Sequence, residues 1–409
     1  MRVAAAFLVV LCGFGASLVS AVAQRPGAFG GPRDHPAIAY SSRPVTDAVA
    51  ALNHRLATGG APLAFDASGG GYLKAVLDAL QVPAQSQMLA FAETSLQASK
   101  IRRENPRAVY FNDLVSVAWI RGSDLLELAA QDPKQGVVFY TLTQTATTSP
   151  RFERNDACLA CHLSWDTLAV PGYVLQTVFP RTSERDYADG GFVDHRLPIE
   201  ERWGGWFVTG SQVPARHMGN QPTLQPKPRS GPAQRLATVA GEIDTSQYLT
   251  PHSDVAALLV FDHQVRAANL FTRLNWEARA GTAVRVEEAA NELADYLLFV
   301  DEAPIPGKVA GTSGFAAAFM ARGPRDRKGR SLRDLKLDGR LMQFPLSYMI
   351  YTPMFDALPD VARTRVRDRI GAVLDGTDTR PKYAHLSPAL RTAIVEIVKE
   401  TKPELFPGN

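Results

Sequence analysis

The hydrophobic pattern changes character several times along the chain, and each change marks a different kind of element. Val3 to Val19 is an almost unbroken apolar run behind Arg2, and it ends at Ala21-Val22-Ala23 before Gln24. A charged start, an apolar middle and a small-residue exit are the three parts of a secretory signal. A membrane anchor is the alternative, but the run is short and broken by Gly13 and Gly15. Residues 24 to 60 are aperiodic and rich in Pro, Gly and Arg, which predicts an extended leader. Leu73, Val76, Leu77 and Leu80 then recur at helical spacing behind a Ser/Gly start.

From 87 to 145 the period shortens. "AVYFND", "VSVAWIRG", "LLELAAQDP" and "GVVFYTLTQ" are rich in β-branched and aromatic residues. Asn112-Asp113, Gly122-Ser123 and Asp132-Pro133 supply turns between them, so an antiparallel meander is predicted. Residues 214 to 235 hold five prolines and no period, the signature of a loop. Beyond it helices are expected at 250–279, capped by Thr250 with Pro251 first, at 283–300, at 360–374, and after Ser387-Pro388. The fold class is therefore α+β, with an antiparallel β meander followed by a mainly helical C-terminal region. The expected divisions are a signal at 1–23, a leader at 24–60, an α/β region at 61–150, a segment at 151–235 carrying the chemistry described next, and a helical region at 236–409.

Composition narrows the partners. With 45% hydrophobic and 21% charged residues the chain is ordinary globular material. A net charge of +3 gives no reason to expect nucleic acid or an anionic membrane. No internal apolar run is long enough for a span after signal cleavage.

The chemistry concentrates in "NDACLACHLSW", residues 155 to 165. Of three cysteines, Cys12 is expected to leave with the signal if cleavage follows Ala23, and the bulky Leu11 before it argues against a lipoprotein site. Cys158 and Cys161 remain, with His162 directly behind. A disulfide across so short a gap is strained and redox-active rather than a staple. The flanks lack the βαβ context of a thioredoxin-like pair, and a zinc site wants a second cysteine pair that does not exist here. The remaining reading is covalent haem, with two thiols on one helical turn adding to the vinyl groups and the next His beneath the iron.

Through Cys158, Cys161 and His162 the chain resembles the c-type cytochromes. That resemblance implies one covalent haem c with His162 as proximal metal ligand, and it agrees with export to the periplasm or beyond. Segments such as "NPRAVYFND", "ERWGGWFVTG", "RHMGN" and "LSYMIYTPMFDALP" are similar, more weakly, to large secreted bacterial monohaem proteins of unassigned function. A meander ahead of the motif departs from small soluble cytochromes, which are all-helical.

The second axial position decides between carrier and catalyst. Met218 and His217 on the proline-rich loop are the first candidates for it. Met342, Met349 and Met354 read as core. His263 falls on the apolar stripe of the 250–279 helix and reads as a hydrogen-bonded core residue, with a haem pocket as the alternative. Trp203 and Trp206, spaced by Gly204 and Gly205, are candidates to pack on a porphyrin or simply to fill a core. Arg202 and Arg216 are candidate propionate partners. The basic stretch at 322–340 is expected to be a solvated loop or a face for an acidic redox partner. The expected function is single-electron transfer with a periplasmic donor or acceptor. The alternative is a haem c enzyme, a peroxidase or small-molecule oxidase, with an open iron site.

Overall fold

Side-chain alternation along consecutive apolar runs produces a six-stranded antiparallel meander in which spatial order equals chain order. Its strands are β1 (Met88–Ala90), β2 (Arg107–Phe111), β3 (Val115–Trp119), β4 (Leu125–Asp132), β5 (Gly136–Thr143) and β6 (Glu153–Arg154). The structure is a computed structural model that describes residues 27–178, 191–221 and 233–406. The expected signal, Cys12 and residues 222–232 of the proline-rich stretch lie outside the described residues.

All three expected turns are present, each closed by its polar residue. Asn112 Oδ1 accepts from the amides of Leu114 and Val115, Ser123 Oγ from that of Leu125, and Asp132 Oδ1 from those of Lys134 and Gln135. Both faces of the sheet are buried, which is why its strands read as nearly continuous apolar runs. Tyr110, Val117, Leu128 and Val138 serve one hydrophobic core, and Val109, Phe111, Val137 and Phe139 the other.

The first face is covered by α1 (Ala48–Ala57) and α2 (Leu73–Ala79), through Val49, Leu52, Leu73 and Val76. Helix α1 corrects the expectation of an extended leader over 24–60. Asp47 caps it, one carboxylate oxygen accepting from the amides of Val49 and Ala50 and the other taking the Tyr140 hydroxyl at 2.6 Å. So short a helix is marginal alone; the sheet face it buries against stabilises it.

After β6 the chain makes one helical turn, α3 (Leu159–His162), then a small ladder of β7 (Gln176–Thr177) and β8 (Gly191–Phe192). The second face of the sheet carries the longest helix, α4 (Val255–Ala280). Gly136 shows how tightly they meet: it has φ +93°, and a Cβ there would lie 2.5 Å from Thr272 Cγ2 of α4. Helix α4 begins later than its Thr250-Pro251 signal. Asp254 is the true cap, accepting from the amides of Ala256 and Ala257 with one oxygen and of Thr312 and Ser313 with the other. A carboxylate bonded in two directions at once outweighs a local Thr-Pro preference.

Behind α4 lie α5 (Ala283–Leu297), α6 (Phe315–Ala321), α7 (Pro353–Asp356), α8 (Asp360–Leu374) and α9 (Pro388–Thr401), with a ladder of β9 (Ile305–Lys308) and β10 (Leu335–Met342). Helix α9 starts as expected, with Ser387 as cap and Pro388 first. Met342, Met349 and Met354 are core residues. Among the described residues no helix is long and apolar enough to cross a membrane.

The basic stretch at 322–340 is not a free solvated loop. Lys328 and Arg330 pair with Glu396 of α9 at 2.8 and 2.6 Å, Arg325 with Asp334 at 3.0 Å, and Arg333 with Asp113 at 2.9 Å. Its charge is largely matched within the molecule.

Candidate haem-attachment cleft

The motif turn is anchored before it begins. The Asn155 amide donates to Phe139 O on β5 at 2.9 Å, and Asn155 Oδ1 accepts from the Ala157 amide. Leu159 is buried as the apolar peg of the turn. One helical turn then brings Cys158 and Cys161 onto the same face. Cys158 is half-buried, Cys161 is exposed, and they are not bridged.

His162 is fixed from two sides. Its ring lies 4.5 Å from the Phe139 ring, and its Nδ1 is 2.9 Å from Gly172 O. The Gly172 amide donates back to His162 O at 3.0 Å, so the motif is strapped to the following loop. A carbonyl only accepts, so Nδ1 carries the proton and Nε2 keeps its lone pair. Burial, against the opposing pull of Gly172 O, pushes the imidazole down to about 4. The ring is therefore neutral at physiological pH, with its basic nitrogen available, which is the state a metal ligand requires.

The two cysteines and His162 line one cleft of about 260 Å³ that opens to solvent, so a larger ligand can extend past its mouth. The second face of the meander is the floor. The walls spring from opposite edges of the sheet: the motif follows β6, and the 91–96 loop follows β1. Trp206 belongs to the second wall. Its Nε1 donates to Gln176 O at 3.1 Å, and Gly205 before it accepts the amides of Phe91 and Ala92. At Gly205, with φ +80°, a Cβ would meet that of Ala92 at 2.6 Å. Tyr173 and Phe261 also line the cleft.

These donors fit a haem c. Two thiols and a tautomer-locked imidazole share a cleft whose interior is largely apolar. Burial, with the Glu127 charge, pushes the Cys158 thiol up to about 11, the opposite of a redox-active thiolate. Among the described residues no group of three or more His, Cys, Asp or Glu is arranged to hold a bare metal ion.

The other candidates separate from this site. Of Arg202, Trp203, Trp206, His217 and Met218, only Trp206 lines the cleft. Arg202 is buried against Asp262, Nη1 to Oδ2 at 3.0 Å, and donates to His195 O at 2.8 Å. Trp203 Nε1 donates to the same carboxylate at 3.1 Å. Burial, opposed by Arg202, pushes Asp262 up to about 6. Met218 Sδ faces the Thr177 hydroxyl at 3.7 Å, and His217 Nδ1 accepts from the Gly219 amide at 3.1 Å. Arg216 is exposed and is not among the cleft residues. His263 is core: its Nε2 lies 2.7 Å from Ser347 Oγ and its Nδ1 2.7 Å from Nδ1 of His195.

The cleft also contains residues that sequence reasoning passed over, notably Arg107, Glu127, Ser95 and Phe139. One signal was legible for Glu127. It is a lone carboxylate inside the apolar run "LLELAAQ", on the face opposite Leu126 and Leu128.

The chain matches no protein-family model, and comparison with curated proteins and with solved structures gives no match.

Proposed function

We propose that the protein is an exported monohaem c protein, with the haem joined through Cys158 and Cys161 and held by His162. It works in single-electron chemistry with a periplasmic donor or acceptor. The observation that carries the reading is His162: its Nδ1 proton is engaged by Gly172 O, its Nε2 is basic, and both thiols line the same cleft. The segment at 1–23 supports export, where such thioethers are made. Haem supplies a one-electron iron couple and, where its second axial position is open, a binding point for a small molecule. The chain's own contributions are distinct. Gly172 holds the imidazole tautomer, Phe139 backs its ring, and Trp206 with the 91–96 loop limits access of water.

A closed electron carrier needs a second strong axial ligand. Among the described residues that line the cleft, His162 is the only His and Met is absent, while Met218 and His217 are engaged elsewhere. That favours the second reading, a haem c enzyme of peroxidase or small-molecule oxidase type with an open iron site, over a simple carrier.

Two measurements test this. The exported protein should retain haem through denaturing electrophoresis, and Cys158→Ala/Cys161→Ala should not; haem that runs off the wild type rejects the attachment. The ferric spectrum should be high-spin and respond to cyanide. A low-spin spectrum indifferent to cyanide and carbon monoxide would return the carrier reading.

A further inference from the structure

Haem attachment leaves two charged side chains of the cleft floor unexplained. The strand register maps them. Val109, Ala118, Glu127 and Thr141 form one row across β2 to β5, and Phe111, Ser116, Ala129 and Phe139 form the next. His162 packs on Phe139. Glu127 stands two residues along β4 from Ala129, a step of about 7 Å. Arg107 is a further step beyond Val109 on β2. The floor is thus apolar beside the imidazole and charged beyond it.

The carboxylate is held in position. Both oxygens of Glu127 lie within reach of Ser95 Oγ, at 3.3 and 3.2 Å, and Ser95 is on the opposite wall. Arg107 Nη1 donates to Thr94 O on the same loop at 3.3 Å. Charged groups in an apolar cleft carry a desolvation cost that a merely structural floor would avoid.

We infer that the Glu127–Ser95 end of the cleft is an acid–base subsite for small protic ligands, weak acids H–X that bind iron as X⁻, such as hydrogen cyanide, hydrazoic acid or hydroperoxides. The H–X bond breaks, its electron pair stays on X, and the proton goes to a Glu127 carboxylate oxygen. This rests on the proposed haem and its open axial position. A ligand that brings no proton, such as carbon monoxide, has no use for Glu127.

The test uses the purified haem-loaded protein and optical titration. Glu127→Gln should slow cyanide association to the ferric form by at least about tenfold, in keeping with general acid–base contributions. It should leave carbon monoxide binding to the ferrous form within about twofold. Ser95→Ala should act in the same direction with smaller size, and Glu127→Asp should restore part of the rate. Cyanide binding at the wild-type rate in Glu127→Gln overturns the inference and leaves the haem reading intact. Equal loss for both ligands also overturns it, because that marks a structural role. A protein without covalent haem, or one whose iron takes neither ligand, overturns the underlying reading and this inference with it.

Discussion

Two histidines, His162 half-buried in the cleft and His263 buried in the core, have the same electrostatic history and opposite fates. Burial pushes the first down to about 4 and the second down to about 3. Yet His263 is closed to chemistry. It is stacked with Tyr296 and Phe299, and its two nitrogens face Ser347 and His195. Two Nδ1 atoms at 2.7 Å demand one donor and one acceptor, so the neutral pair must adopt opposite tautomers. His162 has its Nδ1 engaged by Gly172 O, and the residue lines the cleft. A depressed proton affinity marks burial; the count of engaged nitrogens marks availability.

The largest effect should come from breaking the closed region. Asp262→Ala leaves Arg202 buried without its carboxylate and should cost about 3–5 kcal/mol in urea unfolding. His263→Ala should cost somewhat less, about 2–4 kcal/mol, by leaving His195 Nδ1 without its partner and Ser347 Oγ with only the Met349 amide. Neither should remove covalent haem from whatever protein folds. If His263→Ala abolished attachment while the fold survived, the separation drawn between the two regions would be wrong.

Acid should come next. His217 and His263 are buried with their affinities lowered to about 4 and about 3, so the unfolded chain binds protons first as pH falls. Stability is therefore full above about pH 6.5 and declines toward pH 4, by roughly 1–2 kcal/mol per such histidine at pH 5. Unfolding midpoints at pH 8 and pH 5 read this, and His217→Gln should narrow the gap between them. A gap unchanged by His217→Gln would remove that residue from the account. The smallest effect belongs to the surface. Arg327, whose partner is Glu400, is 89% exposed, and Arg327→Ala should change stability by less than about 0.5 kcal/mol.

What could be read from the sequence follows from where the determining contacts lie. The meander was legible because each strand pairs with the next and each turn carries its own polar closer, at Asn112, Ser123 and Asp132. The motif was legible because Cys158, Cys161 and His162 lie within five residues of one another. Helix α1 was not, because Asp47 and the sheet face that stabilise it are specified some ninety residues apart. The charged floor was hidden for the same reason, since register alone aligns Arg107, Glu127 and Phe139 beneath the motif. Arg202, Trp203, His217 and Met218 looked available because spacing along a chain carries no direction; their polar atoms turn inward to Asp262, Gly219 and Thr177.

The most direct test of the central claim is mass spectrometry of the peptide spanning residues 155 to 165, taken from protein exported by its own N-terminal segment. The account predicts a single peptide heavier by one haem, linked at both Cys158 and Cys161 and absorbing in the Soret region. An unmodified, colourless peptide with two free thiols from fully exported protein would contradict it.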